Sequence, residues 1–239
     1  MLPDALVALN SGVHIRYGVK IRREEGSAKA VNDGAVVALL ALPAYFLGTF
    51  PTAVLVARAG GHDVTAEGSG NPGASNVARI MGWKAGLLVM AGDIAKGAIA
   101  SGVGLMVAGR GAGYILGILA VLGHTYPVTR KFKGGKGVAT AGGMLAVLNP
   151  IVCVVLAVVW FLAARVLKLA SVGSLIVAVL FPVGVALTGR PGWEIALATA
   201  LAVLVVIRHL PNLRRLVRGA ELRTDSVPAP PEPPESGVN

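Results

Sequence analysis

The chain has 239 residues, of which 54% are hydrophobic and 14% charged, with a formal net charge of +10 and a mean hydropathy of +0.71. Soluble domains carry nearer one quarter charged residues, so this balance excludes an ordinary soluble enzyme and excludes disorder over most of the length. Thirty-two glycines and 5% aromatics suit closely packed membrane helices, and the single cysteine, Cys153, excludes an intrachain disulfide framework.

Residues 1–34 carry Arg16, Lys20, Arg22, Arg23 and Lys29 and contain no apolar core of a signal peptide. They read as an interfacial amphipathic extension, or as chain upstream of a true start near Val31. Apolar runs of helical length follow near 35–57, 85–108, 112–128, 137–148, 150–167, 171–188 and 192–207. The fourth and fifth form one stretch that divides at Asn149–Pro150, because proline disfavours helix in the residue before it. From Thr224 the sequence TDSVPAPPEPPESGVN is Pro-rich and acidic, and a disordered tail is expected over 224–239.

Charge decides how the long stretch crosses. Lysine and arginine concentrate on the cytoplasmic side of membrane proteins. If the stretch crosses twice, segments 58–84, 129–136, 165–170 and 208–239 share one face and hold 14 basic residues, while the opposite loops hold only Arg110 and Arg190. A single crossing would scatter the basic loops over both faces. The expected fold is therefore an all-α polytopic membrane domain over 35–223, with seven transmembrane helices, the fourth short, and the basic face in the cytoplasm.

Four polar clusters fall on that face. The first, Glu67 to Gly82, is rich in Gly, Ser and Asn, and such a loop can present backbone N–H groups to an anion; Ser69 and Ser75 add hydroxyls and Arg79 a guanidinium suited to phosphate. A helix-capping turn is the plainer reading. The second, GHTYPVTRKFKGGKGVAT, puts Lys133 and Lys136 around Gly134–Gly135 ahead of a helix start. It lacks Walker A spacing but combines glycines and cations as a phosphate clamp does. The third has Ser171 and Ser174, which alone would read as a cap and a packing serine. The fourth, RHLPNLRRLVRGAEL, has His209 and Asn212 three apart, hence on one face of a helix, in what alone reads as a juxtamembrane basic stretch.

Asp93 and Lys96, inside a span, sit at i and i+3 and can pair; His124 reads as a hydrogen-bonding anchor. Between Ala35 and Arg223 the acids are only Asp63, Glu67, Asp93, Glu194 and Glu221. Many anion donors and few carboxylates point to a site for one or two phosphate groups at the cytoplasmic interface, without a metal. No cofactor and no nucleic-acid partner are expected.

SGNPGASNVAR, GHTYPVTRKFKGGKGVAT and RHLPNLRRLVRGAE resemble the three signature segments of PlsY-type acyl-phosphate:glycerol-3-phosphate acyltransferases. LGTFPTAVLVAR resembles the family's first-span motif with Thr49 in place of Ser, and GDIAKG its D-x-x-K-G segment. The similarity runs from about Val36 to Glu221. It implies a bacterial inner-membrane enzyme of seven helices that transfers an acyl chain from acyl phosphate to the sn-1 hydroxyl of glycerol 3-phosphate, giving lysophosphatidic acid and phosphate. Carried over by motif, the substrate-binding positions are Ser69, Gly70, Asn71, Ser75, Asn76, Lys133, Gly134, Gly135, Ser171, Ser174 and Asn212. Of the two serines Ser174 is preferred for the phosphate. Arg79, Lys136 and His209 are the catalytic candidates. Ser75 stands where the family typically has Thr, and Pro211 perturbs the helical reading between His209 and Asn212.

His209 is the obvious side chain to take the hydroxyl proton, but no carboxylate is evident beside it. The resemblance implies instead that the phosphate of the donor accepts the proton while His209 positions substrate. Cys153, mid-span, is a poor nucleophile. A transporter for a small phosphorylated anion is the competing class; against it, the polar clusters share one face and avoid the midplane. A CDP-alcohol phosphotransferase would need more metal-binding aspartates than the chain has.

Overall fold

The computed structural model describes residues 32–224, so the N-terminal extension up to residue 31 and the tail from 225 lie outside the described residues. Those described residues contain helices and no strand. In chain order the helices are α1 (32–49), α2 (Thr52–Ala59), α3 (Ala74–Met81), α4 (Trp83–Thr125), α5 (Val138–Leu148), α6 (Pro150–Leu167), α7 (Ala170–Leu187), α8 (Gly192–Arg208) and α9 (Leu210–Val217). Four segments are long and apolar enough to cross a membrane: Asn32–Ala59, Trp83–Arg130, Pro150–Leu167 and Ala170–Leu187. With α8 and α9, which pass the same criterion together across a 53° bend, there are five.

Length alone hides two reversals. The backbone leaves helical geometry at Ala108 and Gly109, the latter with φ 78°. Ser101 Oγ donates to Gly113 O at 2.9 Å, and Gly117 lies against the same hydroxyl. In a straight helix residues 16 apart would be separated by ~24 Å, so α4 is a hairpin of two arms. A similar contact joins Cys153 Sγ to Gly142 O at 3.5 Å, which brings α6 back along α5. Between them Asn149 leaves helical geometry and Pro150 opens α6, as the Asn-Pro pair suggests. Helix α5, with 11 residues, is about 16 Å long, roughly half a bilayer core.

The broken first span explains the intramembrane charges. Phe50–Pro51 separates α1 from α2, and proline carries no N–H for the ladder. Lys96 Nζ donates to two carbonyls at the break, Gly48 O (3.3 Å) and Phe50 O (2.9 Å), the latter also accepting from the Thr52 N–H at 3.0 Å, and pairs with Asp93 Oδ1 at 2.8 Å. At the far end Arg110 grips Glu194 through two hydrogen bonds (2.8 and 2.6 Å) and donates to Leu148 O, while Tyr114 OH donates to Glu194 and accepts from Asn149. This network fixes the α5–α6 turn against α8. Leu145, Leu148, Val152, Leu156, Phe181, Val185, Ala198 and Leu201 pack between the two ends. Helix α5 reaches the first arm of α4 closely because Gly97 and Gly143 have no Cβ; one there would overlap the carbonyls of Thr140 and Ile94.

Candidate active site

The start of α5, the start of α7, the α8–α9 bend and the loop before α3 converge on one cavity of about 600 Å³. Its polar end carries Ser69, Asn71, Ser75, Arg79, Lys136, Ser171, His209, Asn212 and Arg215. Its apolar end is lined by α5 to α8, including Leu145, Cys153, Phe181 and Leu201, and it meets exposed Ala146, Ala157 and Phe161 at the side.

Two buried polar atoms at the polar end lack ordinary hydrogen-bond partners: Ser171 Oγ and Asn212 Oδ1. Such atoms are costly unless something satisfies them. Asn212 Nδ2 donates to Glu221 Oε1 at 2.6 Å, and only an amide nitrogen can do so. The orientation of the Asn212 amide is thereby set, and its free oxygen is an acceptor suited to a ligand hydroxyl. Ser174, in contrast, accepts from Trp160 Nε1 (3.1 Å) and donates to Ala170 O (2.9 Å), so its hydroxyl is occupied. Of the two serines, Ser171 is the one whose hydroxyl has no hydrogen-bond partner among the described residues.

His209 is 1% exposed and sits at the bend between α8 and α9, with Pro211 accommodated at the start of α9. Its Nδ1 lies 2.8 Å from Val205 O. A carbonyl can only accept, so Nδ1 carries the proton and Nε2 of the neutral ring keeps its lone pair. The interruption of the helix therefore does not separate His209 from Asn212; both line the cavity.

Lys136 is a half-buried cation at the polar end of the cavity. Burial pushes its ammonium down to about 8; Glu221 opposes this, and the charges of Arg215, Arg79 and Arg208 reinforce it. Glu221 follows the reverse logic. Burial alone would raise its carboxyl, but the hydrogen bonds from Asn212 and Arg215 and the charge of Arg215 outweigh burial and hold it below the usual range. Arg215 Nε meets Glu221 Oε2 at 2.8 Å, and Arg79 donates to the carbonyls of Leu222 (3.4 Å) and Arg223 (3.2 Å). The segment after α9 thus folds back over the cations. Neither Glu221 nor Arg215 is among the residues singled out from sequence; the GAE that ends the third motif carries the only signal.

Other candidates hold the frame. Asn76 lines the cavity, but its amide is consumed within the loop: Oδ1 accepts from Ser69 N (2.8 Å) and Arg79 Nη1 (3.2 Å), and Nδ2 donates to Val64 O and Glu67 O. Gly70 lies outside the cavity lining, and its N–H is bonded to Glu67 O. Lys133 is exposed and outside the lining as well. Gly134 and Gly135 are buried beneath it, packed on His124. No cluster of three or more His, Cys, Asp or Glu able to hold a metal occurs among the described residues.

Residues 38–219 match the family described as "Glycerol-3-phosphate acyltransferase". The chain belongs to that family. A glycerol-3-phosphate acyltransferase of Bacillus subtilis (strain 168) is 35% identical over 187 residues, covering 78% of this chain and 96% of the relative. One from Exiguobacterium sibiricum is 39% identical over 181 residues, covering 74% and 88%. The crystal structure of PlsY (YgiH), an integral membrane glycerol 3-phosphate acyltransferase, superposes in its glycerol 3-phosphate form with a TM-score of 0.76 at 34% identity, covering 79% of this chain and 95% of that one. Its lysophosphatidic acid form gives 0.74. The protein is accordingly an acyltransferase of the membrane glycerol-3-phosphate type.

Proposed function

We propose that the enzyme transfers an acyl group from acyl phosphate to the sn-1 hydroxyl of glycerol 3-phosphate, releasing lysophosphatidic acid and phosphate. We further propose that it crosses the bacterial inner membrane seven times, counting both arms of α4 and the short α5, with the cavity's polar end toward the cytoplasm. The observation that carries the reading is the pairing of unsatisfied Asn212 Oδ1 and Ser171 Oγ with three cations, Arg79, Lys136 and Arg215, at the head of an apolar cavity. A phosphate needs the cations, a glycerol hydroxyl needs an acceptor, and an acyl chain needs the apolar part.

The donor is a mixed anhydride, so attack needs alignment and charge control more than further activation. The acceptor's hydroxyl oxygen bonds to the acyl carbon, the bond from that carbon to the phosphate oxygen breaks, and phosphate leaves with the bonding pair. Holding two anions in reacting register contributes up to ~7–11 kcal/mol to the barrier reduction. His209 Nδ1 is engaged by a backbone carbonyl and not by a carboxylate, so nothing of triad type stabilises an imidazolium. We therefore assign Nε2 the binding of the acceptor's other, non-reacting hydroxyl, and the donor's phosphate the acceptance of the proton from the sn-1 hydroxyl.

The test is turnover of palmitoyl phosphate and glycerol 3-phosphate by purified enzyme in EDTA. Equal yields of phosphate and lysophosphatidic acid, both dependent on glycerol 3-phosphate, are expected. Product from acyl-CoA or acyl carrier protein but not from acyl phosphate would overturn the donor assignment. The serines give a finer check. Ser171→Ala should raise the KM for glycerol 3-phosphate by roughly 10- to 100-fold, the worth of a hydrogen bond to a charged group. Ser174→Ala should change it by less than about threefold, since Trp160 and Ala170 already occupy that hydroxyl.

A further inference from the structure

We infer that Arg208 is a positioning residue that orients the peptide planes of Gly134–Gly135–Lys136 and thereby aims Lys136 at the bound phosphate. The inference rests on the proposed reaction for the role of Lys136, but its geometry is independent of that role. Arg208 lies at the end of α8, next to His209, where it reads as one more juxtamembrane cation. Its guanidinium is turned inward. Nη2 donates to Gly134 O at 2.9 Å and to Gly135 O at 3.2 Å, and Nε donates to Gly135 O at 3.3 Å. Its Cζ lies 5.1 Å from the centroid of the Tyr126 ring, within cation–π range.

In a trans peptide the C=O of one residue and the N–H of the next point in opposite directions. Holding Gly134 O toward Arg208 therefore turns the Gly135 N–H away, and that N–H donates to His124 O at 3.1 Å. Holding Gly135 O likewise turns the Lys136 N–H away from Arg208. The other wall is His124. A Cβ on Gly134 would overlap the His124 carbonyl, and one on Gly135 would overlap His124 Nε2. The double glycine is thus clamped between a histidine backbone and an arginine fork. The next residue, Lys136, enters the cavity, and Gly137, with φ 84°, starts α5. Lysine cannot replace this function fully, because its ammonium lacks the planar fork that spans two carbonyls.

The test compares wild type with Arg208→Gln, Arg208→Lys and Tyr126→Leu, each checked for an unchanged melting profile. Glycerol 3-phosphate binding is measured by calorimetry, without donor, alongside steady-state kinetics. Arg208→Gln should weaken glycerol 3-phosphate binding and raise its KM by roughly ten- to a hundredfold, with a smaller effect on kcat. Arg208→Lys should recover part of this loss, and Tyr126→Leu should show a weaker effect of the same direction. The alkaline limb of kcat/KM should also move upward in Arg208→Gln. After burial, Lys136 is governed by Glu221, Arg215, Arg79 and Arg208, with neighbouring His209, and one of these cations has been removed. Unchanged binding in a folded Arg208→Gln enzyme, or a loss confined to kcat, overturns the inference. A wild type that binds glycerol 3-phosphate but does not use acyl phosphate overturns the proposed reaction instead, and the binding comparison still decides the role of Arg208.

Discussion

Replacing Lys136 by Met is expected to lower kcat/KM by ~10²- to 10³-fold, the usual loss when a donor to developing charge is removed, while making the solubilised protein harder to unfold at pH 7. The two effects share one cause. Lys136 sits half-buried near the charges of Arg79, Arg208 and Arg215, and its surroundings push its ammonium down to about 8 from the ordinary 10.5. The folded state therefore binds this proton more weakly than the unfolded chain does. Between about pH 8 and 10.5 the unfolded chain holds more protons, so stability rises with pH through that window, and below pH 8 the full penalty is present. Removing the charge should relieve up to ~3 kcal/mol at neutral pH, as an order of magnitude. The catalytic arm has its own pH signature. Because kcat/KM reports the free enzyme, it should fall above about pH 8 as Lys136 loses its proton, whereas kcat should hold further into alkali because bound phosphate stabilises the ammonium. A Lys136→Met enzyme that is inactive and also less stable at pH 7 would mean that the lysine is structurally compensated, contrary to its surroundings.

Much of this site is legible in the chain because polar residues stand out in so apolar a background. Arg79, Lys136, Ser171, His209 and Asn212 come from four distant segments, and positive charge alone assigns those segments to one face. The break at Asn149–Pro150 and the turn near Gly109 are written in proline and glycine. What the sequence does not carry is where hydrogen bonds go once the chain has folded. Asn76 belongs to the same motif as Ser69, yet its amide is used up holding the loop. Ser171 and Ser174 are one helical turn apart, and a tryptophan on the neighbouring helix, Trp160, separates their roles. Glu221 acts only because the segment after α9 folds back, a return that no periodicity signals. Arg208 reads as a cation for lipid headgroups, and only its distances to Gly134 and Gly135 show otherwise. The sequence already divides this stretch into runs near 85–108 and 112–128, and the contact between Ser101 and Gly117 shows how the two arms of α4 lie against each other.

The largest stability loss is expected from Lys96→Met. Lys96 is 4% exposed and Asp93 3%, and their 2.8 Å ion pair lies within the first arm of α4. A buried pair of this kind is weak evidence for net stabilisation, since both ions lose their hydration. Removing one partner is a different matter. Without Lys96, the Asp93 carboxylate keeps His124, 3.6 Å away, and the more distant charge of Arg130, and Gly48 O loses its side-chain donor at the break in the first span, while Phe50 O keeps the Thr52 N–H. Loss of one member of a buried pair typically destabilises by ~3–5 kcal/mol, and the Gly48 carbonyl left without its donor adds to it. Replacing both residues, Asp93→Leu with Lys96→Met, removes the stranded charge but not the loss of a donor at Gly48 O. The double variant should therefore unfold at a higher temperature than Lys96→Met alone and still below wild type. Thermal denaturation of wild type, Asp93→Leu, Lys96→Met and the double variant in one detergent measures the coupling directly. Additive losses would show that Asp93 and Lys96 act separately. Recovery to wild-type stability would show that Gly48 O finds another donor, and that the lysine is retained only to neutralise the aspartate.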